Sequence, residues 1–244
     1  MKTFRTPTED AAADHVAGIF TRSTDSVRDK LSCFPRYARR QDLKRFLALY
    51  EIFKRVLPVK GSVVECGVFR GFGLMSWAKL SAMLEPENLT RRIYGFDTFE
   101  GFPSIHPKDA SPAAAPAVGG LRASSHDELL ELIAEYDRDR FLGHIPKVSL
   151  IKGDVARTVP DFVKNNPHLV VSLLFLDVDL YEPTLAAIRH FLPRMPRGAI
   201  IAFDELDNPQ WPGETLALLE EPGIRSLRLE RLEWDPYISF AVID

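Results

Sequence analysis

The chain alternates between short runs of consecutive apolar residues and longer segments in which apolar residues recur at helical spacing. Seven strands are predicted, at residues 63–64, 92–97, 147–152, 169–176, 198–203, 227–234 and 238–242. Helices are predicted at residues 42–57, 74–84, 125–136, 159–164, 183–191 and 210–222. Unbroken apolar runs are typical of strands buried on both faces of a parallel sheet. The pattern therefore favours an α/β fold with a mostly parallel sheet.

The last two predicted strands differ from the others in their connection. They are joined through Asp235-Pro236, without a helix between them. Two strands that follow each other so closely pair antiparallel. An antiparallel pair that closes a parallel sheet is unusual for dinucleotide-binding folds.

Acidic residues follow two of the most apolar strands. Asp177 and Asp179 come directly after the fourth predicted strand, and Asp204-Glu205 follow the fifth. If these strands are neighbours, their carboxylates meet at one edge of the sheet, where α/β proteins bind ligands. Carboxylates packed together repel one another unless a cation is bound, and all-oxygen ligation suits Mg²⁺. The alternative is that they are unrelated acids at the mouths of loops.

A glycine-punctuated turn, E-x-G-x-x-x-G-x-G, follows the first strand between Glu65 and Gly73. Between a strand and a helix, glycines let a nucleotide approach the main chain where a side chain would clash. The alternative is an ordinary tight turn. Asp97 ends the second strand and could accept hydrogen bonds from ribose hydroxyls. Asp154, after the third strand, could accept a hydrogen bond from the exocyclic amine of an adenine or simply cap the turn.

Two further segments lie outside the strand and helix pattern. Residues 103–125 are rich in Pro, Ala, Gly and Ser and predict a long loop. Because this loop follows a strand of the candidate cofactor site, we expect it to act as a lid. Residues 1–40 predict one or two helices outside the main fold. We therefore expect a single domain, residues 1–244, with an N-terminal helical extension.

Composition and charge exclude several classes of protein. The formal net charge of −3 argues against a protein that binds nucleic acid or an anionic membrane. The basic residues at 36–45 either contact an anionic ligand or form a solvated face. Cys33 and Cys66 have no metal-binding or redox spacing. The sequence has no signal peptide and no apolar run of membrane-spanning length, so we expect a cytoplasmic protein.

Three blocks of sequence resemble the macrocin O-methyltransferase family of enzymes that use S-adenosylmethionine (SAM). They are E-C-G-V-F-R-G from Glu65, G-F-D-T-F-E-G-F-P from Gly95 and L-D-V-D-L-Y-E-P-T from Leu176. The resemblance covers about residues 40–215. It implies the Rossmann-like fold of class I SAM methyltransferases, with a seven-stranded sheet closed by an antiparallel pair. It also implies methylation of a hydroxyl on a deoxysugar or similar small molecule, in natural-product (antibiotic) or glycan biosynthesis.

The resemblance also implies roles for individual residues. The first acid of D-x-D and the acid pair of the next strand would bind Mg²⁺, which gives Asp177, Asp204 and Glu205. Asp179 would be the general base. The candidate SAM-binding residues are Glu65, Gly67, Gly71, Asp97, Thr98 and Asp154. Glu65 and Gly67 would hold the methionine part of SAM. Where this chain has Glu205 the family usually has Asp, and the longer side chain changes the geometry available to a metal.

Two other functions fit the same residues. One is an NAD(P)-dependent oxidoreductase on a Rossmann fold, against which the glycine spacing and the closing strand pair count. The other is a non-catalytic SAM-binding homologue, for which Glu205 is the sequence hint. No motif identifies the acceptor. The apolar stripe of the helix at residues 42–57 and the detached N-terminal segment favour a homo-oligomer.

Overall fold

The computed structural model describes residues 6–244, so the first five residues of the predicted N-terminal extension lie outside the described part. By its internal contacts the chain divides into two compact units, residues 1–47 and 48–244. The predicted single domain and the boundary of the extension at residue 40 stay predictions. Within the described residues, no helix is both long and apolar enough to cross a membrane.

The first unit is helical. It contains α1 (Pro7–Arg22), α2 (Val27–Ser32), a 3₁₀ turn and the start of α3 (Arg40–Val56). The Thr6 side chain accepts a hydrogen bond from the N–H of Glu9, and the Glu9 carboxylate accepts one from the N–H of Thr6, which forms a capping box. Two of the basic residues at 36–45 form ion pairs here, Arg36 with Asp25 at 2.9 Å and Arg40 with Glu9 at 3.0 Å.

The second unit is built on a seven-stranded sheet with the order β3-β2-β1-β4-β5-β7-β6. The strands are β1 (Ser62–Cys66), β2 (Ile93–Asp97), β3 (Val148–Lys152), β4 (Val171–Leu176), β5 (Ile200–Phe203), β6 (Glu230–Leu232) and β7 (Asp235–Val242). Strands β1 to β5 are parallel, whereas β7 runs antiparallel to both of its neighbours. The predicted mostly parallel sheet with an antiparallel C-terminal pair is confirmed.

Helices cover both faces of this sheet. They are α4 (Phe72–Leu84), α5 (His126–Asp139), α6 (Val155–Asn165), α7 (Tyr181–Phe191) and α8 (Pro212–Glu220), together with the C-terminal part of α3. On one face, Trp77 of α4 packs against Phe53 of α3 and Phe175 of β4. On the other face, Phe96 of β2 contacts aromatic rings of α6 and α7. The sheet is therefore buried on both sides, as the unbroken apolar runs predict.

A buried arginine stabilises the edge of the sheet opposite to the strand ends that carry the acids. Arg91 is 2% exposed and forms an ion pair with Glu85 at 2.8 Å. Its guanidinium also donates to the carbonyls of Val56, Val59 and Gly61, each at 3.0 Å. These carbonyls lie at the end of α3 and in the link to β1, where the regular hydrogen bonds of the helix stop. One side chain thereby satisfies the main chain where α3 leads into β1.

The predicted bounds of several elements differ from the structure, and α6 begins four residues before its predicted start at residue 159. The turn between β6 and β7 lies at residues 233–234, and Asp235 and Pro236 already belong to β7. Helix α7 begins at Tyr181, two residues before the predicted start at Pro183, because proline is tolerated within a first turn. Helix α5 begins at His126 and not at Ser125, whose hydroxyl donates to the carbonyl of Phe69.

Candidate active site

Four residues of the predicted site stand in one row at the carboxyl edge of the sheet. The register pairs Phe96, Cys66, Leu176 and Phe203 across the adjacent strands β2, β1, β4 and β5. The next residue of each strand is Asp97, Gly67, Asp177 and Asp204. Their main chains continue the ladder: Gly67 donates to Phe96 at 2.9 Å, Asp177 to Cys66 at 2.8 Å and Asp204 to Leu176 at 3.0 Å. The acids of β4 and β5 therefore arise side by side, about 5 Å apart in main-chain position.

Asp179 occupies a strained turn immediately after β4. Its φ of 61° lies in the left-handed region, and the N–H of Leu180 donates to the carbonyl of Val178 at 2.6 Å. A three-residue γ-turn with a positive φ at its central residue is rare. A left-handed backbone at a residue other than glycine costs about 1–3 kcal/mol. Such strain persists where surrounding contacts hold it, and it is common at functional sites. The turn separates Asp179 from the regular strand that ends before Asp177.

A buried glutamate, which the sequence analysis missed, lies beside the second acid pair. Glu214, in the first turn of α8, is fully buried, and its carboxyl accepts the N–H of Glu205 at 3.0 Å. Burial raises the pKa of Glu214 well above its usual value, the hydrogen bond from Glu205 opposes this, and the charges of Asp179 and Asp204 add to the increase. An acid in a first helical turn is an ordinary helix signal, so its sequence position did not reveal its burial.

The acids have the right chemistry for Mg²⁺. Two of the three predicted ligands, Asp204 and Glu205, lie close enough to the buried Glu214 carboxyl for their charges to raise its pKa, and Asp179 does the same. Carboxylate oxygens are the ligands that Mg²⁺ prefers. In residues 6–244 as they stand, no group of three or more His, Cys, Asp or Glu side chains is arranged to hold a metal ion. The donor set fits the metal in kind, and the predicted ligation stays a prediction.

The glycine turn after β1 packs closely against other parts of the chain. Gly67 has φ +94°, and a Cβ there would lie 1.8 Å from the Asp177 carbonyl oxygen. Gly71, with φ +83°, precedes α4, and a Cβ there would meet the side chain of Leu129. Glu65 is 1% exposed, and its carboxylate lies where a Cβ of Gly73 would be. The glycines therefore let this turn pack directly on the Asp177 carbonyl, on Leu129 and on the buried Glu65 carboxylate. The predicted contact of Glu65 and Gly67 with the methionine end of SAM stays a prediction.

Asp97 organises the main chain of the same turn. One carboxylate oxygen accepts the N–H of Phe69 at 2.7 Å and the other accepts the N–H of Phe99 at 2.6 Å. Both of these phenylalanines have positive φ, at 51° and 56°. The neighbouring Thr98 hydroxyl donates to the carbonyl of Gly101 at 2.6 Å. Asp97 thus joins the glycine turn to the loop after β2, and the predicted ribose and Thr98 contacts stay predictions.

The two alternatives for Asp154 do not exclude each other. Its side chain caps α6 by accepting the N–H of Ala156 at 2.9 Å. One carboxylate oxygen accounts for this cap. A contact with the adenine end of SAM stays a prediction.

The predicted lid, residues 103–125, is docked against the loops that carry the acids. Two hydrogen bonds between Phe102 and the glycines at 119 and 120 close its base. Ser111 donates to the carbonyl of Pro209, and Lys108 donates to the Tyr181 hydroxyl at 2.8 Å and forms an ion pair with Glu220. The His106 ring also packs on the Tyr181 ring, so Lys108 and His106 both contact the first residue of α7.

Asp109 is a second acid that the sequence analysis missed. It is 2% exposed and accepts the N–H of Tyr181 at 2.7 Å and the N–H of His106 at 2.9 Å. Burial raises the pKa of Asp109, and these two hydrogen bonds oppose the increase. The spacing His106 to Asp109 forms a capping box around a 3₁₀ turn, a local signal that could have drawn attention to it.

Comparison with known proteins places this site in a family. Residues 22–215 match the family described as Macrocin-O-methyltransferase (TylF), which is well over half of the chain. The chain belongs to the macrocin O-methyltransferase family. The resemblance of the three sequence blocks is thereby confirmed, and the fold is that of class I SAM-dependent methyltransferases.

Similar proteins of known structure or curated activity agree with this assignment. The structure of CalS11, described as a calicheamicin methyltransferase, has a TM-score of 0.93 and 33% identity, covering 98% of this chain and 94% of that one. A second CalS11 structure, described as an apo TDP-rhamnose 3'-O-methyltransferase of calicheamicin biosynthesis, has a TM-score of 0.86 and 32% identity, covering 98% and 96%.

A curated relative from Streptomyces olivaceus is 29% identical over 174 residues. It is the 8-demethyl-8-(2,3-dimethoxy-alpha-L-rhamnosyl)-tetracenomycin-C 4'-O-methyltransferase. The match takes in 67% of this chain and 60% of that relative, so the chain spans less than two thirds of its length.

Proposed function

We propose that this chain transfers a methyl group from SAM to a hydroxyl of a sugar in natural-product biosynthesis. The observation that carries the proposal is the row of Asp97, Gly67, Asp177 and Asp204 across four adjacent strands. In this row the glycine turn lies directly beside two pairs of acids, which supports a SAM site at the turn. Family membership and the described activities of the similar proteins support the same reaction.

The residues of the glycine turn and its neighbours would bind and orient the cofactor. Bound SAM supplies an activated methyl group, so the protein has to align the acceptor and remove its proton. Glu65 and Gly67 would hold the methionine end, and Asp97 the ribose. Alignment of two bound reactants lowers the barrier substantially, by about 7 kcal/mol or more in favourable cases.

Asp179 is the proposed general base. It lies two residues beyond Asp177, in a turn that is not part of the strand, so its carboxylate can act separately from the acids that follow the strands directly. A positioned carboxylate that takes the acceptor proton contributes about 10²- to 10⁴-fold to the rate.

We further propose that Asp177, Asp204 and Glu205 bind Mg²⁺. Bound Mg²⁺ lowers the pKa of a coordinated hydroxyl and offsets the repulsion among the acids. The metal dependence is testable directly. Treatment with EDTA should abolish turnover and added Mg²⁺ should restore it, with SAM binding followed in parallel by calorimetry. Full activity in EDTA would contradict the metal proposal and leave methyl transfer intact.

The acceptor is proposed from the similar proteins. CalS11 is described as acting on TDP-rhamnose, and the relative from Streptomyces olivaceus as acting on a rhamnose attached to a polyketide. The decisive experiment is to incubate the purified protein with SAM and Mg²⁺ and either TDP-rhamnose or a rhamnosylated polyketide. We expect S-adenosylhomocysteine (SAH) to form with a sugar acceptor, and the product to gain the mass of one methylene group.

The same preparation tests the other functions. Thermal stabilisation by NAD but not by SAH would favour an oxidoreductase. Tight SAH binding without product from any sugar acceptor would favour a non-catalytic homologue. Self-association into a homo-oligomer stays a prediction, to be measured by light scattering of the eluting protein.

A further inference from the structure

We propose that Asp109, in the loop after β2, is a positioning residue for the candidate base Asp179. The inference rests on the proposed function, because it assigns Asp109 a role toward the base of that reaction. It is carried by the contacts that Asp109 makes with Tyr181, two residues beyond Asp179.

Asp109 holds the main chain on the C-terminal side of the strained turn. Its buried carboxyl accepts the Tyr181 N–H at 2.7 Å, and its other oxygen accepts the N–H of His106 at 2.9 Å. On the N-terminal side, the N–H of Asp177 donates to the Cys66 carbonyl at 2.8 Å. The segment 178–180 is thus fixed at both ends, which a turn with a left-handed residue requires.

The space around this contact is shaped for a carboxyl. A Cβ on Gly213 would lie 2.4 Å from the Asp109 side-chain oxygen and 2.5 Å from the Tyr181 nitrogen. Residue 213 therefore has to be glycine for Asp109 to reach the start of α7. The Asp109 carboxyl is therefore the point at which the loop after β2 contacts the first turns of both α7 and α8.

The Tyr181 side chain is held by the same loop. The Lys108 ammonium donates to its hydroxyl and lies 4.0 Å from the ring centroid. The His106 ring lies 4.8 Å from it, centroid to centroid. Both the main chain and the ring of Tyr181 are therefore contacted by polar residues of one short segment, His106, Lys108 and Asp109. Displacing the loop would release the residue that follows the base turn.

Amide hydrogen exchange at single-residue resolution tests this coupling without an acceptor. Leu180 is the residue to follow, because its N–H closes the turn at Asp179 and does not contact Asp109. In Asp109→Ala we expect Leu180 to exchange about tenfold faster or more than in wild type, as expected when a hydrogen bond to a charged group is lost. Asp109→Asn keeps one acceptor oxygen and should restore part of the protection.

Ser111→Ala is the matched control. It removes the loop's hydrogen bond to Pro209 and leaves Tyr181 untouched, so the loop should exchange faster while Leu180 stays near its wild-type rate. If Asp109→Ala does not fold, the comparison of Asp109→Asn with Ser111→Ala carries the test. Faster exchange in the loop with unchanged exchange at Leu180 in the Asp109 variants would overturn the proposal.

Kinetic constants distinguish positioning of Asp179 from a general loss of stability. A separate binding measurement tests the proposed function. With a methylatable sugar, the Asp109 variants should lower kcat and leave the KM for SAM unchanged, since the Asp109 carboxyl bonds to His106 and Tyr181 and not to the candidate SAM-binding residues. Calorimetry with SAH on the wild type tests the SAM site itself. Failure of SAH to bind would refute the proposed function, whatever the exchange at Leu180 shows about positioning.

Discussion

The main-chain N–H of Glu205 donates to the carboxyl of Glu214 at 3.0 Å, and Glu214 is fully buried at the start of α8. The residue proposed as an unusual metal ligand is therefore held through its backbone by a second acid nine positions later. This contact bears on the one departure from the family pattern, since it fixes where the longer Glu205 side chain begins. It connects the loop after β5 to α8.

Substitutions of Glu214 should show whether its acceptor oxygen or its volume matters. Glu214→Gln keeps an acceptor for the Glu205 N–H, so its free energy of unfolding at neutral pH should lie within about 1 kcal/mol of wild type. Glu214→Leu leaves that buried N–H without its partner and should cost about 1–3 kcal/mol. Urea unfolding measures both. Equal losses in the two variants would show that the hydrogen bond contributes little.

The pH dependence of the same pair has a definite sign. Burial raises the folded-state pKa of Glu214, so above the unfolded-state value the folded protein binds more protons than the unfolded one at this group. This contribution to wild-type stability therefore falls as pH rises above about 4.5. Glu214→Gln lacks it, so the stability of the variant relative to wild type should increase from pH 5 to pH 8.

Asp179→Asn should separate catalysis from cofactor binding. Asn tolerates a left-handed φ better than most residues, so the turn at 61° should survive the change. We expect kcat to fall about 10²- to 10⁴-fold, while the dissociation constant for SAH is unchanged by calorimetry. A near-normal kcat would remove Asp179 from the mechanism. Thr184→Ser, in the first turn of α7, is the control. It keeps the hydroxyl that donates to the Leu180 carbonyl and should leave kcat unchanged.

Two glycines with similar backbone conformations provide a matched test of the cofactor turn. Gly67 and Gly119 have φ of +94° and +78°, but a Cβ clashes with the Asp177 carbonyl only at Gly67 and meets nothing within 4 Å at Gly119. Gly119→Ala should cost about 1–2 kcal/mol from backbone strain. Gly67→Ala should cost about 3 kcal/mol more and abolish SAH binding. Similar unfolding free energies would contradict the close approach of the two strand ends.

Lys147 should give the protein a second titration at alkaline pH. It is 5% exposed and donates to the carbonyl of Asn88 at 2.8 Å. Burial lowers its pKa to about 8, with the charge of Glu85 opposing. Between about pH 8 and 10.5 the unfolded chain binds more protons at this group, so its contribution to stability rises with pH.

A methionine substitution isolates that contribution. Lys147→Met carries no charge at any pH, so its melting temperature relative to wild type should fall as pH rises from 7 to 10. The expected change corresponds to about 2–3 kcal/mol at most. Lys152→Met, at the exposed last residue of β3, is the control for the loss of a lysine. A parallel shift of both variants would assign the effect to something other than the burial of Lys147.

The sheet and the acid pairs could be predicted from the sequence because their signals are local. An unbroken apolar run identifies β4 and β5, and the acids that follow each run stand at its carboxyl end whatever the rest of the chain does. Glycine spacing likewise marks the turn of Gly67 and Gly71, since positive φ is a property of single residues. Element boundaries were predicted less accurately, since Asp235 belongs to β7 and α6 begins at Val155, four residues before its predicted start.

By itself, then, the sequence determined the order of strands and helices, the edge at which the acids emerge and the family of the chain. Only the tertiary structure decided which other acids join them. Asp109 and Glu214 come from a loop rich in small residues and from an ordinary first helical turn, where local patterns predict solvated side chains. Asp109 is buried against Gly213 and accepts the N–H of Tyr181, and Glu214 accepts the N–H of Glu205. Asp109 lies more than 70 residues from Gly213 and Tyr181 along the chain, so these contacts form only once the sheet has formed.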